Sequence, residues 1–203
     1  MELSDFYSFS SKLMSSTVQA HPITSNLSAE FVRFNFKNKL VKGDFKGLSF
    51  PIYFRQEYGS KLLDIIDTGM SSLCLISENL KTLLEKERFI GWKPFEAIVI
   101  DKNDEKVEGY YGLSITGKSG SIDYNKSEIV EKQLAPKAPI TRFLKGLYID
   151  MEKWDGSDFF TTEGSLSIYC TKRVVDVLKK HKITNVEFEN ILEIETIEYA
   201  IKK

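Results

Sequence analysis

The densest group of polar side chains lies in EKWDGSDFF at 152–160, where Glu152, Asp155 and Asp158 flank Trp154 and Gly156. Carboxylates this close can perform acid–base work or hold a cation. The same residues also suit a turn in which Asp155 accepts from the backbone and Trp154 packs on a core. A second carboxylate series runs through VEFENILEIETIE at 186–198. There Glu187 and Glu189 share one face of a strand, and Glu193 and Glu195 continue after a phase break near Asn190 and Ile191. An alternating acidic strand is either a solvated face or a surface that engages a basic partner.

GLSITGKS at 112–119 satisfies the phosphate-loop pattern G-x-x-x-x-G-K-[ST]. Its surroundings argue against phosphate chemistry. A working loop follows a buried strand and opens a helix whose N-terminus faces the anion. Here Leu113 to Thr116 are strand-like and Gly120 interrupts a helix at its first turn, so the expectation is a strand, YYGLSIT, followed by a turn at GKSGS. The acidic strand end AIVID at 97–101 precedes the loop, where a magnesium-holding strand normally follows it.

The remaining reactive types are scarce: two His and two Cys in 203 residues. His21 stands beside Pro22, and His181 follows Lys179 and Lys180 at a helix end, where the helix dipole favours a cation. Cys74 and Cys170 sit in the apolar runs LCLI and LSIYC, which predicts buried, reduced thiols. No G-x-S-x-G elbow and no metal-ligand spacing occurs. The expectation is therefore no catalytic residues, no metal and no cofactor.

The elements that must position these residues come from an ordinary globular composition, 42% hydrophobic and 28% charged. A formal net charge of −1 supplies no field for nucleic acid or anionic lipid. One locally basic stretch, with Arg33, Lys37, Lys39, Lys42 and Lys46 against Asp44, lies in FVRFNFKNKLVKGDFKGLSFPIYF at 31–54, whose alternation suggests strands. The opening residues MELSDFYSFSSKLM lack the basic start and apolar stretch of a secretory signal, and no run approaches the length of a membrane span, so a cytoplasmic protein is expected.

Two segments share one grammar, SLCLISENLKTLLEKERFIGWKPFEAIVI at 72–100 and LSIYCTKRVVDVLKKHKITNVEFENILEIE at 166–195. Each opens with an apolar strand ending in a hydroxyl residue, Ser77 or Thr171, able to cap the following helix. The helices show matching apolar faces, Leu80, Leu83 and Leu84 against Val174, Val177 and Leu178. Each continues through Ile90 or Ile183 to a strand containing Phe95 or Phe188, with one extra residue before Ile90. Upstream, KGLSF at 46–50 is similar to KGLYI at 145–149, and GSKLL at 59–63 to GSDFF at 156–160. Pro136 and Pro139 in QLAPKAPITRF at 133–143 favour an extended connection. The expected fold is α+β: two related strand–helix–strand units, mostly antiparallel sheet and few short helices. The division falls between 1–135 and 136–203, packed as one globular unit.

The order WDGSDFF, SIYCT, RVVDVLKK and KITNVEFENI resembles the C-terminal signature of a bacterial family of immunity proteins from polymorphic toxin systems. LISENLKTLLEKERFIGWKPF and YYGLSITGKSGSIDYNKSEI, with Ile122, Asp123 and Ser127, are similar to that family's middle segment. The resemblance covers about residues 60–195, and the first 50 residues contribute nothing to it. It implies a small cytoplasmic protein that binds and blocks a toxin without catalysis. By position it assigns Trp154, Asp155 and Asp158 to the family's characteristic motif, while Trp92 stands where a less bulky residue is common. With Glu187 and Glu189 these are the expected contacts for a protein partner. The alternative is a small-ligand protein or enzyme using the carboxylates near Trp154 in a cleft between the units.

Overall fold

The computed structural model describes residues 1–12, 14–24, 35–70, 72–165 and 167–198. Its first stretch contains β1 (Phe6–Ser11), β2 (Gln19–Pro22), α1 (Lys37–Lys42), β3 (Ile52–Tyr58), β4 (Ile65–Asp67), β5 (Cys74–Ser77), α2 (Glu78–Lys86) and β6 (Trp92–Ile100). There follow β7 (Lys106–Val107), β8 (Tyr110–Ile115), β9 (Gly117–Ser121), β10 (Glu128–Gln133) and β11 (Ile140–Lys145). The chain closes with β12 (Phe159–Glu163), β13 (Ile168–Thr171), α3 (Lys172–Lys180), β14 (Val186–Asn190) and β15 (Glu195–Ile197).

This is the expected α+β fold, with two strand–helix–strand units. The first is β5–α2–β6 and the second β13–α3–β14. In neither unit do the two arms touch as neighbours. β8 lies between β5 and β6, antiparallel to both, and β1 lies between β13 and β14 in the same way. Outside these, β4 pairs β5 and β12 pairs β13, both antiparallel, while β2 runs parallel to β4 and β9 parallel to β12. The first unit takes its inserted strand from the residues that follow β6, whereas the second takes it from residues near the N-terminus. The sheets differ in closure. In the first, β3 pairs both β2 and β6, so the strands close into a barrel, whereas β14-β1-β13-β12-β9 stays open.

Strand alternation sorts the core into layers. Ile65, Cys74, Ile76 and Leu113 from the first sheet meet Phe9, Phe159, Ile168 and Cys170 from the second in a shared core. Leu80, Leu83 and Leu84 of α2 and Val174, Val175 and Leu178 of α3 complete it. Val177 is only partly buried, and Val175 takes the place expected for it. The opposite face of β5 sends Leu75 into the barrel with Ile66, Phe54 and Val99, and that of β13 sends Tyr169 into a third core with Phe6 and Phe160.

Several local expectations change. The segment 37–42 is helical: Phe36 and Leu40, one turn apart, are both buried against the barrel interior, and Gly43 ends the turn at φ 67°. Residues 31–34 lie outside the described residues. GKSGS is strand β9 instead of a turn, because a side chain at Gly117 would lie 2.1 Å from the Phe159 carbonyl and only glycine allows that approach. The stretch 133–143 is the tip of the β10–β11 hairpin, not an extended connector, with Pro136 and Pro139 in the turn.

The alignment of the units also needs no extra residue. Arg88 and Lys182 both adopt φ near 55° (55° and 54°), and the next N–H returns to the helix, Phe89 to Leu84 and Ile183 to Leu178. Phe89, buried, is therefore the counterpart of Ile183, and exposed Ile90 is that of Thr184. By the same spacing Asp64-Ile65-Ile66 matches Asp158-Phe159-Phe160, so GSKLL is not the counterpart of GSDFF. Phe188, opposite Phe9, matches Pro94, opposite Leu113, and not Phe95.

Candidate functional site

Asp158 is buried in the turn before β12, and its carboxylate is fully engaged. It accepts from the Ile90 N–H at 3.0 Å, from Thr171 Oγ1 at 3.2 Å and from Arg173 Nη1 at 3.2 Å. Arg173 in turn lies over the Phe89 ring at 4.4 Å and donates to the Glu87 carbonyl. Thr171 thus donates to Asp158 instead of capping α3, whereas Ser77 caps α2 as expected by accepting from the Leu80 N–H at 3.1 Å. A buried carboxylate needs donors more than a helix end near solvent needs an acceptor.

The other unit holds the counterpart. Asp64 accepts from Ser77 Oγ at 2.7 Å and, across the units, from the Thr184 N–H at 2.9 Å and hydroxyl at 2.6 Å. Each unit thereby grips the loop that leaves the other unit's helix. Burial pulls the Asp64 pKa upward, but the hydrogen bonds from Thr184, Ser77 and Asn79 outweigh it and hold the carboxyl below its ordinary value. Sequence reasoning missed Asp64. The matching DII and DFF triplets at 64–66 and 158–160 were the available signal.

Asp155 accepts from the Lys118 and Ser157 N–H groups, at 3.0 and 3.1 Å, and Trp154 donates to the Ser157 carbonyl while its ring meets Phe6 at 5.2 Å. The turn reading of WDGSDFF is what the structure shows. Trp92 is half-buried on the shared core and donates to the Phe89 carbonyl at 2.9 Å. Trp92 and Asp158 lie at the seam between the units, where a side chain at Gly91 would meet Ser157 and Phe159, whereas Trp154 packs in the third core and Asp155 bonds β9 of the second sheet.

Glu187 and Glu189 lie elsewhere, exposed on β14 at the edge of the open sheet, opposite Ser10 and Ser8. Beside them is a cleft of about 580 Å³ lined by Ser8, Ser10, Ser167, Glu189, Met70 and Leu73, among others. A neighbouring cleft of about 320 Å³ shares Gln19 and Asp67 with it. Neither is lined by Trp154, Asp155 or Asp158. The cleft walls combine β1, the β4–β5 loop and β14, a convergence that no local pattern announces.

Both cysteines are free and buried in the shared core. Burial, with a smaller contribution from Asp67, pushes the Cys74 thiol up to about 12, and burial with Asp158 raises Cys170 as well. Such thiols are poor nucleophiles. Among the described residues no group of three or more His, Cys, Asp or Glu converges as a metal site, and no helix is long and apolar enough to cross a membrane.

A model of the Immunity protein family (Imm11) matches residues 6–193. The chain belongs to the Imm11 immunity protein family. The match starts at β1, well before residue 60, so residues 6–50 belong to the matched region. The fold gives the reason: β1 is the inserted strand of the second unit. No curated protein matches the chain.

Proposed function

We propose that this chain binds a cognate toxin protein in the cytoplasm of the bacterium that makes both, and neutralises it by occlusion without catalysis. The family match across residues 6–193 carries the reading. The geometry supports it, because the Asp155 and Asp158 carboxylates are engaged in holding the fold and the accessible polar surface is an open cleft with an acidic edge. Of the six expected contact residues, Glu187 and Glu189 meet the partner. Trp92 and Asp158 keep the two units in register, and Trp154 and Asp155 hold the turn before β12. Residues 1–135 and 136–203 form one binding unit.

The test is a pull-down from the source bacterium with the full chain as bait, followed by co-expression with the recovered protein. A partner whose expression arrests growth, relieved by this chain, is the expected result. Failure to recover any protein whose toxicity this chain relieves refutes the reading.

A further inference from the structure

In the first unit, Ser114 and Lys93 are cross-strand partners on the face that looks into the barrel, and Phe95 follows Lys93 along β6. α1 covers them. Ser114 Oγ donates to the Leu40 carbonyl, Phe95 packs in the same core as Phe36 and Leu40, and Ser114 is fully buried. In the second unit the corresponding partners are Ser10 and Glu187, followed by Glu189. All three are exposed, on a sheet that does not close. The position filled by a helix in one unit is thus an open trough in the other, continuous with the 580 Å³ cleft.

The charge of that position is reversed, with Glu187 where the first unit has Lys93. Beside it, Glu189 and Asp67 line the cleft, whose lining residues include no Lys or Arg. Met70, Leu73 and Ile194 supply an apolar floor. Such a surface favours a cationic, amphipathic occupant. α1 shows what a fitting helix looks like: Phe36 and Leu40 buried on one face, Lys37, Lys39 and Lys42 around them.

We infer that this trough is the docking site for a short helix of the protein partner, apolar on one face and lysine- or arginine-rich on the other, laid over Ser10 beside Glu187 as α1 lies over Ser114 beside Lys93. The inference rests on the proposed binding of a toxin for the identity of the partner, but not for the chemistry of the site.

The variants are Ser10→Arg and the pair Glu187→Lys with Glu189→Lys, made in the full chain. Their folding is checked by thermal denaturation, and all three positions are exposed. Glu131→Lys on β10, also exposed, is the control. Affinity for the toxin recovered by pull-down is expected to fall at least about tenfold in both variants and to stay unchanged in the control. Unchanged affinity in the variants overturns the inference while leaving toxin binding intact.

If no toxin is recovered, the functional proposal has failed by itself, and a synthetic peptide of residues 35–48 decides the docking site. Binding that the two variants abolish, and that is lost when the peptide's lysines are replaced by Glu, supports the trough. No binding, or binding indifferent to the variants, overturns it.

Discussion

Asp158 and Asp64 are carboxylates whose work is cohesion. Each joins the hydroxyl residue before its own unit's helix to the loop leaving the other unit's helix, so removing either leaves donors unpaired on both sides. Asp158→Ala leaves the Arg173 guanidinium without its carboxylate and the Ile90 N–H without an acceptor. The expected cost is about 3 kcal/mol, read as a lower urea midpoint at unchanged m-value. Asp64 adds a pH signature. Its folded-state pKa is depressed, so its stabilisation is present above the unfolded carboxyl pKa and is lost as pH falls through the folded value. Between about pH 5 and pH 2 the wild type should therefore lose more stability than Asp64→Asn, measured by urea unfolding at each pH. Parallel pH profiles in the two proteins would refute this role for Asp64.

The two helices end alike, and their ends invite an experiment. Arg88 and Lys182 are exposed residues held at φ 55° and 54° immediately before buried Phe89 and Ile183. A non-glycine residue in that region costs about 1–2 kcal/mol, of which glycine's greater chain entropy returns about half. Lys182→Gly should stabilise by about 0.5–1 kcal/mol and raise Tm by a few degrees; Arg88→Gly should do the same, with near-additive effect in the pair. The shared helix faces were legible because Leu80 and Leu84, and Val174 and Leu178, recur at a spacing set by the helix itself. The shared ending was not. Ile90 and Ile183 look alike as residue types, while a positive φ has no mark in the sequence when Arg or Lys adopts it. α1 was equally hidden, since Phe34, Phe36 and the flanking lysines alternate like a strand and only burial of Leu40 in the barrel decides otherwise. The cleft beside Glu189 was beyond sequence reasoning for a further reason. Its walls come from three distant parts of the chain, at Ser8, Leu73 and Glu189.

At the scale of the molecule, the insertion of β1 between β13 and β14 makes the second unit depend on the first part of the chain. Residues 136–203 contain β13, α3 and β14, yet neither strand reaches the other without β1, and β12 loses its parallel neighbour β9. That fragment also lacks Phe6 and Phe9, which pack on opposite faces of its sheet. Expressed alone, it should show no cooperative unfolding transition and no protected amides. Residues 1–135 keep the barrel strands and α1, but Leu80, Leu83 and Leu84 of α2 lose the facing Val174, Val175 and Leu178. Exposure of that many apolar side chains should make the fragment bind a hydrophobic dye and melt well below the full chain. Mixing the two should restore a 1:1 complex with a single unfolding transition, because β1 then finds the gap between β13 and β14 and the paired carboxylates close across the seam. A cooperative transition in 136–203 alone, at the stability of the full chain, would show that β1 is dispensable and that the units are independent domains.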